Sequence, residues 1–239
     1  PSPDCPHTRQ GWAEYLKQAY GSAEALNTRL GLKVNALAEA PIPGAQAFDD
    51  PLFYDNCVFN QRRFADWHAW MAGVIHEIAP EIPVHAKLMA NWLERHTIAW
   101  GTDPECFSAF SQINGNDCWV SYPGGQEWAQ GWQTQAIYYD LQRSMKWAPV
   151  FNSENHIMVD RSTHYYPPEH TRTALWEGAI HGQGATTIWV WERTYDKASD
   201  FYGNIMHRPG SAEAVGRTNL DLNRLAPEVT ALQRAAAPA

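Results

Sequence analysis

Glu154 is the carboxylate that this sequence places best for chemistry. It lies in A-P-V-F-N-S-E-N-H (Ala148–His156), at the end of a short apolar run, with Asn152 and Ser153 before it and Asn155 and His156 after it. A neighbouring run, T-T-I-W-V-W-E-R (Thr186–Arg193), carries Trp189 and Trp191 and closes on Glu192 and Arg193. Tryptophan presents a broad apolar face with a donor at its edge, which suits stacking on a sugar ring as well as core packing. Lys87 and Asn91 lie at or after the end of P-V-H-A-K-L-M (Pro83–Met89), and Tyr122 ends C-W-V-S-Y (Cys118–Tyr122). Each residue also has a plain reading: the glutamates as helix starts or surface charges, the tryptophans as core.

The runs that present these residues are short, nearly continuous in apolar character and separated by helix-like stretches. That pattern indicates parallel β/α units buried on both faces. In such folds the carboxyl ends of the strands carry the chemistry, because the βα loops converge there. Four units are legible, with strands at Pro83–Met89, Cys118–Tyr122, Ala148–Asn152 and Thr186–Trp191. Helices are expected at Phe64–Ile78, Gln126–Met145, Pro168–Ile180 and between Ala212 and Gln233, where Leu222, Leu225, Val229 and Leu232 share a face. Two shorter helices, Gly11–Tyr20 and Ser22–Leu30, meet at Gly21. A full eight-stranded barrel takes roughly 250 residues. Here the first eighty or so residues read as helix and loop, so the expectation is a partial (β/α) TIM-type barrel. It forms a single domain over 1–239, with a helical lead-in over 1–80 and four β/α units over 81–239.

Composition removes several classes of function. Eighteen basic against twenty-six acidic side chains leave a net charge of −8. A nucleic-acid or anionic-membrane partner calls for a basic stripe instead, and no apolar run approaches the roughly 20 residues of a membrane span. The chain opens without an initiator methionine, so the absence of a leader says nothing of export; a soluble protein, cytoplasmic or secreted, is expected. Cys5, Cys57, Cys106 and Cys118 are scattered, which argues against a structural zinc site and leaves one disulfide or free thiols open. His76-Glu77 begins like H-E-x-x-H, but Pro80 stands at the fifth position. His170 and His181 stand about 16 Å apart along one helix, too far for one ion. His156 and His164 have the plain reading of a site hydrogen bonder and a surface residue. No metal and no cofactor is called for, and neither G-x-S-x-G nor a phosphate-binding glycine loop occurs.

Short motifs along nearly the whole chain resemble glycoside hydrolase family 42, the clan A β-galactosidases. Y-G-S-A-E-A-L-N (Tyr20–Asn27) is similar to the segment that follows the family's acid/base strand. Gln61–Ile78 and V-H-A-K-L-M resemble the long helix and strand that come next. S-E-N-H resembles the nucleophile end of the seventh strand, I-W-V-W-E-R the eighth strand with its sugar-stacking tryptophan, and Leu220–Val229 the closing helix. The resemblance implies strands five to eight of the barrel, with Glu154 as the nucleophile of a retaining β-glycosidase of galactosidase or glucosidase type. Lys87, Tyr122, Asn152, His156, Trp189, Trp191 and Arg193 would line the sugar site.

One departure from the family stands out. Its general acid/base is the Glu of an Asn-Glu pair ending the fourth strand, and no Asn-Glu pair occurs in this sequence. Retaining glycosidases need two carboxyl groups roughly 5–5.5 Å apart. Glu192 is the in-chain candidate, since adjacent strands lie about 4.8 Å apart, although alternation turns it away if Trp191 points inward. A sugar-binding or salt-bridge role is the other reading of Glu192. Asp117, placed before its strand, is expected at the opposite rim. With no assured donor, activated aryl glycosides should be the best substrates. The alternative function is a non-catalytic carbohydrate-binding or degenerate barrel remnant. Four strands leave two open edges and an apolar inner face, so a homodimer is expected.

Overall fold

A computed structural model describes residues 5–89, 95–120, 131–158, 165–190 and 205–235. They divide into two compact units, one of residues 1–71 and 92–106, the other of residues 72–91 and 107–239.

The first unit is helical. Helix α1 (Pro6–Tyr20) and helix α2 (Ala23–Leu30) meet at Gly21, whose φ of 82° is a conformation that side chains disfavour. Ser22 caps α2 by accepting from the Ala25 amide at 3.1 Å. Helix α3 (Phe53–Ile78) begins eleven residues earlier than the apolar spacing suggested, since neither Gly nor Pro interrupts Phe53–Ala72. Trp12, Leu16, Leu26, Ala40, Leu52 and Phe59 form the core of this unit. Inside it, Asp55 accepts from the Tyr15 and Tyr20 hydroxyls at 2.9 and 2.7 Å. Burial and this carboxylate push the Tyr20 phenol up to about 12. Y-G-S-A-E-A-L-N is thus built for structure: a half-buried tyrosine whose hydroxyl is bonded to Asp55, a cap, and Asn27, which clamps both polar groups of Val34.

The second unit carries four parallel strands in the order β1 (Leu88–Met89), β2 (Asn114–Asp117), β3 (Val150–Asn155) and β4 (Gln183–Ile188). Helix α4 (Pro104–Phe110) precedes β2. Helices α5 (Gly131–Met145) and α6 (Pro168–Ile180) alternate with the later strands, and α7 (Pro209–Arg224) and α8 (Ala226–Ala235) close the chain. This is the partial (β/α) barrel expected. The two closing helices replace one continuous helix because Pro227 has no amide to donate and its ring crowds the carbonyl one turn back. Val120, Ile157, Met158, Tyr166, Ala174, Leu175, Ile205 and Val215 form the core cluster, with Trp132 and Ile188 packed on it. The four cysteines are free thiols.

The strands sit elsewhere in the sequence than apolar runs alone indicate. β2 is N-G-N-D, a segment that reads as a turn, and the run Cys118–Tyr122 begins just after it. Asparagines can line a buried strand here because each finds partners. Asn114 donates to the Lys146 and Ala148 carbonyls, and Asn116 donates to the Gln142 side chain at 2.9 Å. Gly115 is required at its position: a Cβ there would lie 2.0 Å from His85 Nδ1 and 2.5 Å from the Ala86 carbonyl oxygen. The 83–87 stretch can approach β2 only over that bare backbone. β3 extends to Asn155, so Glu154 lies inside the strand rather than after it. β4 ends at Ile188, three residues before the expected Trp191.

Candidate active site

The parallel register sets the site. Met89 pairs with Asp117, and Asn116 pairs with Asn152, so the carboxyl ends of β1, β2 and β3 lie side by side. The pairing resumes beyond β2 at Trp119 and His156, with the Val120 amide donating to the His156 carbonyl at 3.1 Å. Between β3 and β4 the register slips from Asn152 to Asn155, beside Glu154; such irregularities re-aim a side chain at functional rims. Asn152 anchors this stretch from below. It is fully buried, donates to the Cys118 carbonyl at 2.7 Å and the Tyr139 hydroxyl at 2.8 Å, and accepts from the Glu154 amide at 3.2 Å.

Four charged or titratable groups then close a ring. Lys87 Nζ donates to Glu154 Oε2 and lies 3.2 Å from Asp117 Oδ2. His156 Nε2 lies 3.3 Å from Glu154 Oε1 and 3.5 Å from Asp117 Oδ1. The Glu154 side chain is 23% exposed, enough to meet a ligand, whereas that of Asp117 is 6% exposed. Burial alone would raise the Glu154 carboxyl, but the hydrogen bond and charge of Lys87, with His156, hold it below the usual range. Burial and the Glu154 charge move Asp117 the other way, above the usual carboxylate value. The Lys87 ammonium stays above its ordinary value despite burial, through Glu154 and Asp117. Groups pushed apart in this way are a mark of functional sites.

Trp189 stands next to this ring. Its amide donates to the Asn155 carbonyl at 2.9 Å, and its indole lies 5.8 Å from the His156 ring, tilted by 41°. It thus supplies an aromatic face beside His156. The ligand atoms of Asp117, Glu154 and His156 all lie within 4.8 Å of one another, the compass of a small cation. The Lys87 ammonium lies against both carboxylates and already serves as the cation of the cluster.

The structure therefore brings Lys87, Asn152, Glu154, His156 and Trp189 together. Asn152 supports the strand from the helix side through Tyr139, rather than facing a ligand. Tyr122, Trp191, Glu192 and Arg193, with Asn91 and His164, lie outside the described residues. Asp117 is the residue that sequence reasoning misplaced. It stands at the same rim as Glu154, because β2 lies upstream of the apolar run. The signal available was Gly115, whose place between two asparagines suits a close backbone approach as well as a turn.

The family model for glycoside hydrolase family 42, described as β-galactosidase, matches residues 3–229. The chain belongs to this family. Among solved structures it is similar to the family 42 exo-carrageenase of Bacteroides ovatus. The TM-score is 0.80 at 25% identity, covering 94% of this chain and 33% of that one. A cold-adapted β-galactosidase from Rahnella sp. R3 matches with a TM-score of 0.71 at 17% identity, over 98% of this chain and 35% of that one. The family 42 β-galactosidase Gan42B from G. stearothermophilus gives 0.69 at 16% identity, over 90% of this chain and 35% of that one. These two share the fold. No curated protein matches the chain. The chain spans about a third of the length of the family 42 proteins it resembles. Among the described residues, no helix is long and apolar enough to cross a membrane.

Proposed function

We propose that the chain cleaves β-galactosides with retention of configuration and that Glu154 is the nucleophile. The observation that carries this reading is the Glu154 carboxylate itself. It is partly exposed at the strand ends of a family 42 barrel segment and held ionised by Lys87 and His156 beside Trp189. In the first step a Glu154 oxygen forms a bond to the anomeric carbon as the bond to the leaving oxygen breaks. The leaving oxygen keeps the electron pair. In the second, water attacks that carbon, the carboxylate departs with its electrons, and the water's extra proton passes to solvent, which protonates the departed oxygen where its basicity requires it. Lys87 and His156, at the two Glu154 oxygens, favour the anion at the start and at the end of this cycle. Trp189 offers its face to the apolar side of the sugar.

Protonation of the leaving group is the weaker half of the site. Asp117, the described carboxylate nearest Glu154, is 4% exposed and bound to Lys87, so it is poorly placed to reach a glycosidic oxygen. Glu192, at the end of the tryptophan-bearing run, remains the in-chain candidate for the acid or for a sugar contact, and Tyr122, Trp191 and Arg193 for further sugar contacts. Nitrophenyl galactosides, whose leaving groups need little protonation, are the proposed best substrates. The same observation about Asp117 favours a second reading, a carbohydrate-binding segment without turnover. Hydrolysis of a nitrophenyl β-galactoside by the wild-type chain, lost in Glu154→Gln, supports the first reading. Undiminished sugar binding without hydrolysis in both proteins supports the second.

A further inference from the structure

The ring around Glu154 contains a carboxylate that this reaction leaves unused. Asp117 ends β2, is 4% exposed, and reaches Lys87 Nζ at 3.2 Å with one oxygen and His156 Nε2 at 3.5 Å with the other. The same ammonium and the same ring nitrogen serve Glu154. The ammonium is thus divided between two acceptors, whereas the ring nitrogen lies near Asp117 without a hydrogen bond to it. The second Asp117 oxygen is buried with no hydrogen bond at normal geometry, a costly state for a carboxylate that only held strands together.

We propose that Asp117 is a positioning residue for Glu154: it shares Lys87 with the nucleophile, so that the ammonium is not committed to Glu154 alone. The inference rests on the reading of Glu154 as nucleophile. An ammonium given wholly to one carboxylate lowers its basicity and, with it, its nucleophilicity. Drawn partly toward Asp117, Lys87 keeps Glu154 ionised without quenching it. Asp117 also leaves the ring with two anions against one permanent cation, so Lys87 keeps a counter-charge when Glu154 becomes an ester.

Asp117→Asn removes the charge and nearly preserves the shape. The full chain is assayed on a nitrophenyl β-galactoside across pH, beside Glu154→Gln, Lys87→Met and the Lys87→Met/Asp117→Asn double variant. We expect kcat to fall at least about 10-fold in Asp117→Asn with KM changed less than about 2-fold. The acid limb of kcat/KM moves to lower pH, because the whole Lys87 charge then bears on Glu154. In the Lys87→Met background the second substitution changes kcat by less than about 2-fold, since the shared donor is gone. A residue that only supports the fold would cost the same in both backgrounds and leave the limb in place; that result overturns the proposal. A carbon-13 titration of the Glu154 carboxyl reads the same downward shift without turnover, and no shift there is equally fatal. Should Asp117→Asn prevent folding, Asp117→Ser gives the same readings. Undiminished hydrolysis by Glu154→Gln removes the nucleophile assignment and this inference together. An inert Glu154→Gln beside an unchanged Asp117→Asn removes the inference alone.

Discussion

At the scale of single residues, the site is a contest for one ammonium between two carboxylates. Lys87 lies against Glu154 and 3.2 Å from Asp117, and its hydrogen bond and charge outweigh the burial that would otherwise raise the Glu154 carboxyl. Lys87→Met should therefore raise the Glu154 value. The acid limb of kcat/KM then moves to higher pH, opposite in sign to the change expected for Asp117→Asn, and a pH–rate profile checks it. The leaving-group dependence belongs to this scale as well. General acid catalysis supplies typically 10²–10⁴-fold, so cleavage of lactose should lag behind nitrophenyl β-galactoside by about that factor. Equal rates on the two substrates would reveal a competent proton donor.

At the scale of elements, the alternation of helix and strand was legible in the sequence, and the strand limits were not. Pro168–Ile180 was readable to the residue because its apolar and small positions keep helical spacing between a proline start and a buried turn. The strands escaped because their buried positions are polar. Asn114, Asn116 and Asn152 are almost fully buried, yet each is paired to a backbone or side-chain group that lies far away in sequence. Apolar patterning cannot report such pairing. The place of β2 puts Asp117 at the same rim as Glu154, while Glu154 and His156 stand out at the end of the run that marks β3 and Lys87 lies within the run that contains β1. Gly115 is the element-scale test. A methyl group there would meet His85 and the Ala86 backbone, so Gly115→Ala should cost about 1–3 kcal/mol, seen as a lower thermal midpoint and a lower kcat.

Helix α6 carries a pH dependence of its own. Burial raises the Glu177 carboxyl to about 7, against a partial lowering by the His181 charge. The folded chain thus binds a proton that the unfolded chain releases between about pH 4.5 and 7. Stability attached to Glu177 is complete below that window and is lost as pH rises through about 7. Thermal midpoints should fall from pH 5 to pH 8 in the wild type, and Glu177→Gln should flatten that fall.

At the scale of the whole molecule, four parallel strands leave β1 and β4 as the outer members of the described sheet. Along α3 the apolar stripe that predicts a helix is largely uncovered: Phe64 is 41% exposed, Trp67 52% and Ile78 84%. Outer strands and exposed apolar side chains favour association. We expect a homodimer in sedimentation at micromolar concentration; a 27.0 kDa monomer that stays free of aggregation would contradict it.

Glu154 is the residue proposed to perform the chemistry of this family 42 chain. The most direct test is mass-spectrometric mapping after incubation with an activated 2-deoxy-2-fluoro-β-galactoside, which traps the glycosyl-enzyme ester. A single label is expected on the peptide containing Glu154, with none on Glu154→Gln. A label on any other residue, or the absence of label from a chain that hydrolyses nitrophenyl β-galactoside, would contradict it.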